Sequence, residues 1–193
     1  MPMNTIYVQY ANITWVVIFV VWVIGFFGNK KTAKLRYPLE QVVVFLLLVA
    51  SFILLFDWPL FHGWLALRLV SQTEIGGILG VALAYAGAAC AIWARISLGK
   101  NWSGAVVTVK ENHELIKKDP YAYIRHPIYT GYLATALGCA LTVGTVGPLL
   151  GVVVMLLAFA IRIRREELLM TQQFPNDYPA YKKTSKMLVP FLF

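Results

Sequence analysis

"IYTGYLATALGCALTVGTVGPLLGVVVMLLAFAI", residues 128–161, decides the fold of this chain. It runs for 34 residues without one Asp, Glu, Lys or Arg. A helix crosses the hydrocarbon of a bilayer in about 20 residues, with a range of about 17–25. One crossing is therefore too short to use the whole run. "VGTVGP" (143–148) lies near its middle, and Gly and Pro punctuate helices. The run reads as two helices folded into a hairpin, which returns the chain to the face it left. Each arm has only about 15 strictly apolar residues, roughly 22 Å at 1.5 Å per residue. The hairpin must tilt little, borrow flanking residues or stop short of the far face.

Upstream lie three more apolar runs, at about residues 6–27, 42–56 and 75–93. The hydrophobic fraction is 59% and the charged fraction 13%. Soluble domains run at about 45–50% and about 25%, so lipid is the natural solvent here. The fold class expected is an all-α integral membrane helical bundle. It has about five transmembrane helices, a C-terminal helical hairpin and a long cytoplasmic loop. Residues 1–193 read as one domain, with two N-terminal spans in 1–60 and the remainder in 75–193. The first span has no basic leader and no A-x-A site, so it reads as a retained helix.

Sixteen of the 17 Lys and Arg residues fall in three segments: "NKKTAKLR", Arg95 to Arg125, and Arg162 to Lys186. Only Arg68 lies in the remaining connector. The positive-inside rule puts those three segments in the cytoplasm and the N-terminus outside. The net charge of +8 is thus a lipid-facing feature, spread out and without a nucleic-acid motif, so no nucleic-acid partner is expected. Gly76, Gly80, Ala84 and Ala88 recur every fourth residue, and with Gly131 and Gly138 they suit a close helix–helix seam. Cys90 and Cys139 fall inside predicted spans as small packing residues. No metal-ligand spacing, G-x-G-x-x-G or P-loop occurs, and the absence of mid-span ionisable residues argues against a transport path.

The informative polar residues form two groups. One is "LGKNWSGAVVTVKENHELIKKDPYAYIRHPIYTG" (98–131); the other is "RIRREE" (162–167) at the end of the fifth predicted helix. A hairpin brings the two together. Pro127 suits the first turn of a helix. Arg162 and Glu166 are four apart and suit an i,i+4 pair. Glu167 points about 100° away. Two adjacent acids dilute a positive-inside signal, so they have either a cationic ligand or ion-pair partners such as Arg164 and Arg165. Tyr121, Tyr123, Tyr129 and Tyr132 suit an interfacial aromatic belt or a cage for a cation.

"HELIKKDPYAYIRHPIYTG", followed by "RIRREELL", "FPNDYPAYKK" and "VPF", resembles the isoprenylcysteine carboxyl methyltransferase family, which is akin to membrane phospholipid methyltransferases. The resemblance covers roughly Leu98 to Phe191; the first two spans match it only as hydrophobic segments. It implies S-adenosyl-L-methionine as cofactor, a lipophilic or lipid-anchored acceptor, and membrane lipids as partners. By resemblance, Thr108, His113, Leu115, Ile116 and Tyr121 line the cofactor site. Arg125, His126, Pro127 and Tyr129 form its cradle, and Glu166 takes its second acidic position. Arg162 matches the arginine associated with the substrate carboxylate, where it would act in catalysis by orienting that group. An ionised carboxylate needs no general base. An amine or thiol acceptor needs one, with Glu167 or His126 as candidates. Phospholipid N-methylation, small-thiol S-methylation and an NADPH-dependent sterol-type reduction are the rival activities. The sequence departs from the family at Asp119-Pro120, where a Gly precedes the tyrosine turn, and at Phe174-Pro175, where the tail has Phe-Gly.

Overall fold

The computed structural model describes residues 3–26, 38–56, 62–102 and 114–189. Five long helices and one short one carry these residues. They are α1 (Met3–Phe26), α2 (Pro38–Leu55), α3 (Glu74–Leu98), α4 (Pro127–Val143), α5 (Val146–Gln173) and α6 (Asp177–Thr184). Three of them, α1, α3 and α5, are long and apolar enough to cross a membrane. The other two apolar helices are shorter. At 1.5 Å per residue, the 17 residues of α4 reach about 26 Å and the 18 of α2 about 27 Å. The protein is an integral membrane helical bundle.

The expected hairpin is present, and its turn is tight. Gly144 ends α4 in the left-handed region at φ 76, where its N–H donates to Ala140 O. A residue without a Cβ fits there because φ > 0 is costly for others. Thr145 then leads into α5. The two arms are unequal, unlike the two short arms the apolar run suggests. The longer arm, α5, continues 12 residues beyond Ile161 to Gln173, because Arg, Glu, Leu and Met are all good helix formers.

At the turn, the connector between α2 and α3 forms a strap. Leu69 N–H and Val70 N–H donate to Gly144 O, and Val146 N–H donates to Leu67 O. Arg68 Nη1 and Gln72 Nε2 both donate to Val143 O at 3.0 Å. This accounts for the one basic residue at that end: it neutralises the carbonyl end of α4.

The core is a seam of small residues between α3 and α4. A Cβ added to Gly87 would stand 2.5 Å from Thr135 N, and one added to Gly138 would stand 2.5 Å from Ala84 N. Backbone therefore lies directly on backbone. Such contact is how helices associate where lipid supplies no hydrophobic drive. The seam begins at Gly80. Gly76 sits instead beside the N-cap Thr73, while Gly77 is the residue packed under Tyr7 of α1. The third helix also outruns its apolar core. Arg95, expected in the loop, occupies the last turn of α3 and is buried. There it donates to Gly25 O at 2.7 Å and Gly99 O at 2.9 Å, and its guanidinium lies 4.5 Å from the Trp102 ring centre.

Candidate active site

The hairpin returns α5 to the start of α4, which brings "RHPIY" against "RREE". Pro127 occupies the first helical position of α4, with His126 as N-cap. Arg125 and His126 thus precede the helix rather than begin it. Tyr129 lies one turn in and reaches across to α5. Its hydroxyl donates to Glu166 Oε1 at 2.5 Å and accepts from Arg162 Nε at 2.6 Å. Arg162 Nε also lies 3.0 Å from Glu166 Oε1, the expected i,i+4 pair. The Tyr129 ring stacks between His126 and Phe159, with centroids 5.7 Å and 4.5 Å away.

The two acids face different partners. Glu166 Oε2 stands 3.5 Å from His126 Nδ1, and its side chain keeps 20% of its surface exposed. Glu167 is buried. Its Oε1 accepts from Arg125 Nε at 2.8 Å and lies 3.5 Å from His126 Nε2, while its Oε2 meets Lys182 Nζ of α6 at 2.5 Å. These partners are not the Arg164 and Arg165 suggested by adjacency. Arg164 is exposed, and Arg165 pairs with Glu40 of α2. Burial alone pushes the His126 imidazolium down. The two carboxylates 3.5 Å from its ring nitrogens outweigh it, so the pKa of His126 is raised.

A second cluster adjoins this knot. Ala94, Tyr121 and Ile128 form its buried centre, with Trp22, Trp102, Ile116, Tyr129 and Tyr132 packed around them. Tyr132 stands 5.5 Å from Trp22 and 6.0 Å from Phe159 between ring centres. Of the four tyrosines, only Tyr123 is exposed at 63% and suits a belt. Tyr121, Tyr129 and Tyr132 face inward.

Six of the candidate residues meet directly: Arg125, His126, Tyr129, Arg162, Glu166 and Glu167. Ile116 and Tyr121 join the aromatic cluster, Pro127 fixes the start of α4, and Leu115 is half-buried beside Ile116. Thr108 and His113 lie outside the described residues. Asp119 adopts φ 55, the left-handed region in which Gly is at ease and Asp is tolerated. The chain thus keeps a tight turn there without the glycine.

Comparisons with known proteins bear on the fold and on the kind of protein this chain resembles. Residues 80–172 match the profile of the isoprenylcysteine carboxyl methyltransferase (ICMT) family. That segment is similar to the family over 93 of the 193 residues. It holds the α3–α4 seam, the "RHPIY" stretch and both acids. Among relatives, the protein-S-isoprenylcysteine O-methyltransferase of Schizosaccharomyces pombe is 32% identical over 101 residues, covering 51% of this chain and 43% of that protein. The Saccharomyces cerevisiae protein of the same name is 31% identical over 122 residues, covering 62% and 51%. The chain spans about half the length of the curated relatives it matches. A solved structure, that of the eukaryotic intramembrane Ras methyltransferase ICMT, aligns with a TM-score of 0.50 at 20% identity, covering 81% of this chain and 54% of that one. It shares the helical membrane fold.

Sequence reasoning missed Trp22, Arg95, Trp102 and Lys182. Trp22 belongs to a helix that reads only as an apolar span, and Arg95 and Lys182 read as positive-inside charge. Trp102 stands inside the polar stretch 98–131 and Lys182 inside "FPNDYPAYKK", so their positions were the signal available.

Proposed function

We propose that the protein is an S-adenosyl-L-methionine-dependent membrane methyltransferase, one domain with its catalytic part in residues 75–193. The acceptor is a lipophilic carboxylate of the isoprenylcysteine type. One observation carries this reading: a carboxylate for a cationic donor and a guanidinium for an anionic acceptor share one face of α5, Glu166 beside Arg162. The names of the relatives, protein-S-isoprenylcysteine O-methyltransferase, point to the same chemistry.

The residues present fit the cofactor. Glu166 is a partly exposed carboxylate bonded to the Tyr129 hydroxyl, and Tyr129 packs in the cluster of Tyr121 and Tyr132. A carboxylate with aromatic rings nearby attracts a sulfonium by charge and by cation–π contact. When bound, S-adenosyl-L-methionine supplies an electrophilic methyl group. Glu166 and His126 would hold its polar parts, and Tyr121, Tyr129 and Ile116 its rings and apolar edges. Arg162 would orient the acceptor carboxylate. That carboxylate is ionised at pH 7, so its oxygen takes the methyl group with no proton to remove. The work left to the protein is orientation, which in favourable cases is worth about 7–11 kcal/mol.

An amine or thiol acceptor is not favoured, because it needs a free base. Glu167 is committed to Arg125 and Lys182. The basic residues at one end of the bundle support a cytoplasmic site and an outside N-terminal end to α1. Thermal shift and calorimetry with S-adenosylhomocysteine and NADPH in parallel test the reading. Stabilisation by S-adenosylhomocysteine is expected, and stabilisation by NADPH alone would overturn it.

A further inference from the structure

We infer that Lys182 of α6 is a positioning residue for this site, acting through Glu167 on the His126 imidazole that adjoins Glu166. The inference rests on the methyl-transfer reading for its meaning, but not for its test. An unbroken line of charged contacts runs inward from the surface. Lys182 Nζ is 2.5 Å from Glu167 Oε2, and its side chain is 42% exposed. Glu167 Oε1 is 3.5 Å from His126 Nε2, and His126 Nδ1 is 3.5 Å from Glu166 Oε2. From there, Glu166 Oε1 connects to Tyr129 and Arg162. A lysine on the last helix is therefore three side chains from the acid assigned to the cofactor.

The helix is held where this line needs it. The Tyr181 hydroxyl donates to Tyr121 O at 2.5 Å. Beyond α6, the chain runs along the "YIRHP" backbone: Lys186 N–H donates to Tyr123 O, Arg125 N–H to Lys186 O and His126 N–H to Met187 O. The Thr130 hydroxyl donates to Leu188 O at 2.5 Å, and Arg125 Nη1 reaches the Ser185 carbonyl. These bonds fix the His126 main chain from the tail side. The Glu167 contacts fix its ring. Nε2 lies 3.5 Å from Glu167 and Nδ1 3.5 Å from Glu166, neither within a full hydrogen bond, so when protonated the ring divides its charge between the two acids.

Lys182 sets that division. Two cations, Lys182 and Arg125, offset Glu167, so the imidazolium remains available to Glu166. Without Lys182, Glu167 attracts His126 more strongly, and the ring is drawn off Glu166. Among the described residues, the charged and titratable groups of the elements packed near His126 are Glu166, Glu167 and Arg162 from α5, Tyr129 from α4, Arg125 before it, Tyr121 from the preceding turn, and Tyr178, Tyr181 and Lys182 from α6. Burial pushes the Tyr181 phenol up to about 12, so it stays neutral throughout the range in which the imidazole titrates.

The test compares the pH dependence of S-adenosylhomocysteine binding in the wild type, Lys182→Met, Lys182→Arg and Glu167→Gln. Affinity is expected to fall as pH rises through the His126 transition, because the proton that bridges the two acids is lost. Lys182→Met is expected to move that midpoint up by about one pH unit and to weaken binding about fivefold well below the midpoint, where the ring is protonated in both proteins but drawn toward Glu167. Lys182→Arg is expected to restore both. Glu167→Gln is expected to move the midpoint the other way, since it removes an anion that holds the proton. A general loss of structure would not shift the two variants in opposite directions. Unchanged midpoints, or shifts of the same sign, overturn the proposal. Lys182→Gln replaces Lys182→Met if the latter does not fold. Should the wild type bind no S-adenosylhomocysteine at any pH, the methyl-transfer reading fails. The positioning role is then judged on the pH dependence of thermal unfolding without nucleotide. A raised folded-state pKa contributes stability at low pH that is lost as pH rises through it, and the same opposite shifts are required there.

Discussion

The Tyr129 hydroxyl donates to Glu166 Oε1 across 2.5 Å, although the two residues are 37 positions apart and on different helices. The bond closes the open end of the hairpin, and Arg162 Nε touches both of its members. The cation, the acid and the phenol form one unit, so each prediction below disturbs it or its support at a separate point.

Glu166→Gln keeps the shape of the side chain and removes its charge. Hydrogen bonds involving a charged group contribute about 1.5–3 kcal/mol. S-adenosylhomocysteine should bind roughly ten- to hundredfold more weakly, as calorimetry would record. Native affinity in a variant that melts like the wild type would remove Glu166 from the cofactor site.

Arg162→Lys keeps the positive charge and loses the planar fork that suits a carboxylate. The KM for a carboxylate acceptor should rise about tenfold or more, and by a larger factor than the KM for S-adenosyl-L-methionine. Steady-state kinetics with each substrate varied in turn would measure both. Equal rises would assign Arg162 to the cofactor instead.

Gly138→Val drives a branched side chain into the α3 backbone at Ala84 and Gly80. Overpacking costs about 1–3 kcal/mol where neighbours are side chains, and backbone yields less. Thermal unfolding in detergent should drop by several degrees. Ala82→Val, on the exposed face of α3, should melt like the wild type. Similar melting of both variants would mean that the seam is not the main contact.

Asp119 pays for its φ of 55 with strain that a branched side chain would increase. Asp119→Val should destabilise by about 1–2 kcal/mol. Asp119→Gly should stay within about 0.5 kcal/mol of the wild type. Denaturation midpoints of the two variants would decide the matter, and equal losses would show that the carboxylate rather than the backbone matters.

The hairpin was legible because its signals are local: "VGTVGP" breaks the helix where it stands, and a turn there must return residues 162–167 to residue 126. The meeting of Arg162 and Glu166 with the start of α4 followed from that return, while Tyr129 came with the resemblance. The four-residue period of small residues also marked the seam, though a face begins one residue off when only the period is known, as at Gly76 and Gly77. Arg95 was misplaced because a charge after an apolar run reads as loop; only packing shows that α1 offers it the Gly25 carbonyl. Lys182 was hidden for a similar reason. A lysine near a membrane has a sufficient explanation in its charge, and no local pattern links it to an acid on another helix.

Residues 185–188 run along the backbone of Tyr123 to Thr130, which gives the molecule an order of assembly. A ribosome could deliver every bilayer-crossing segment, and the translocon could seat them all, while the pocket still lacked its floor. Only after residue 188 has left the exit tunnel can the main chain around His126 find its partners. The apolar helices therefore precede, in the order of synthesis, the segment that completes the backbone bonding around His126.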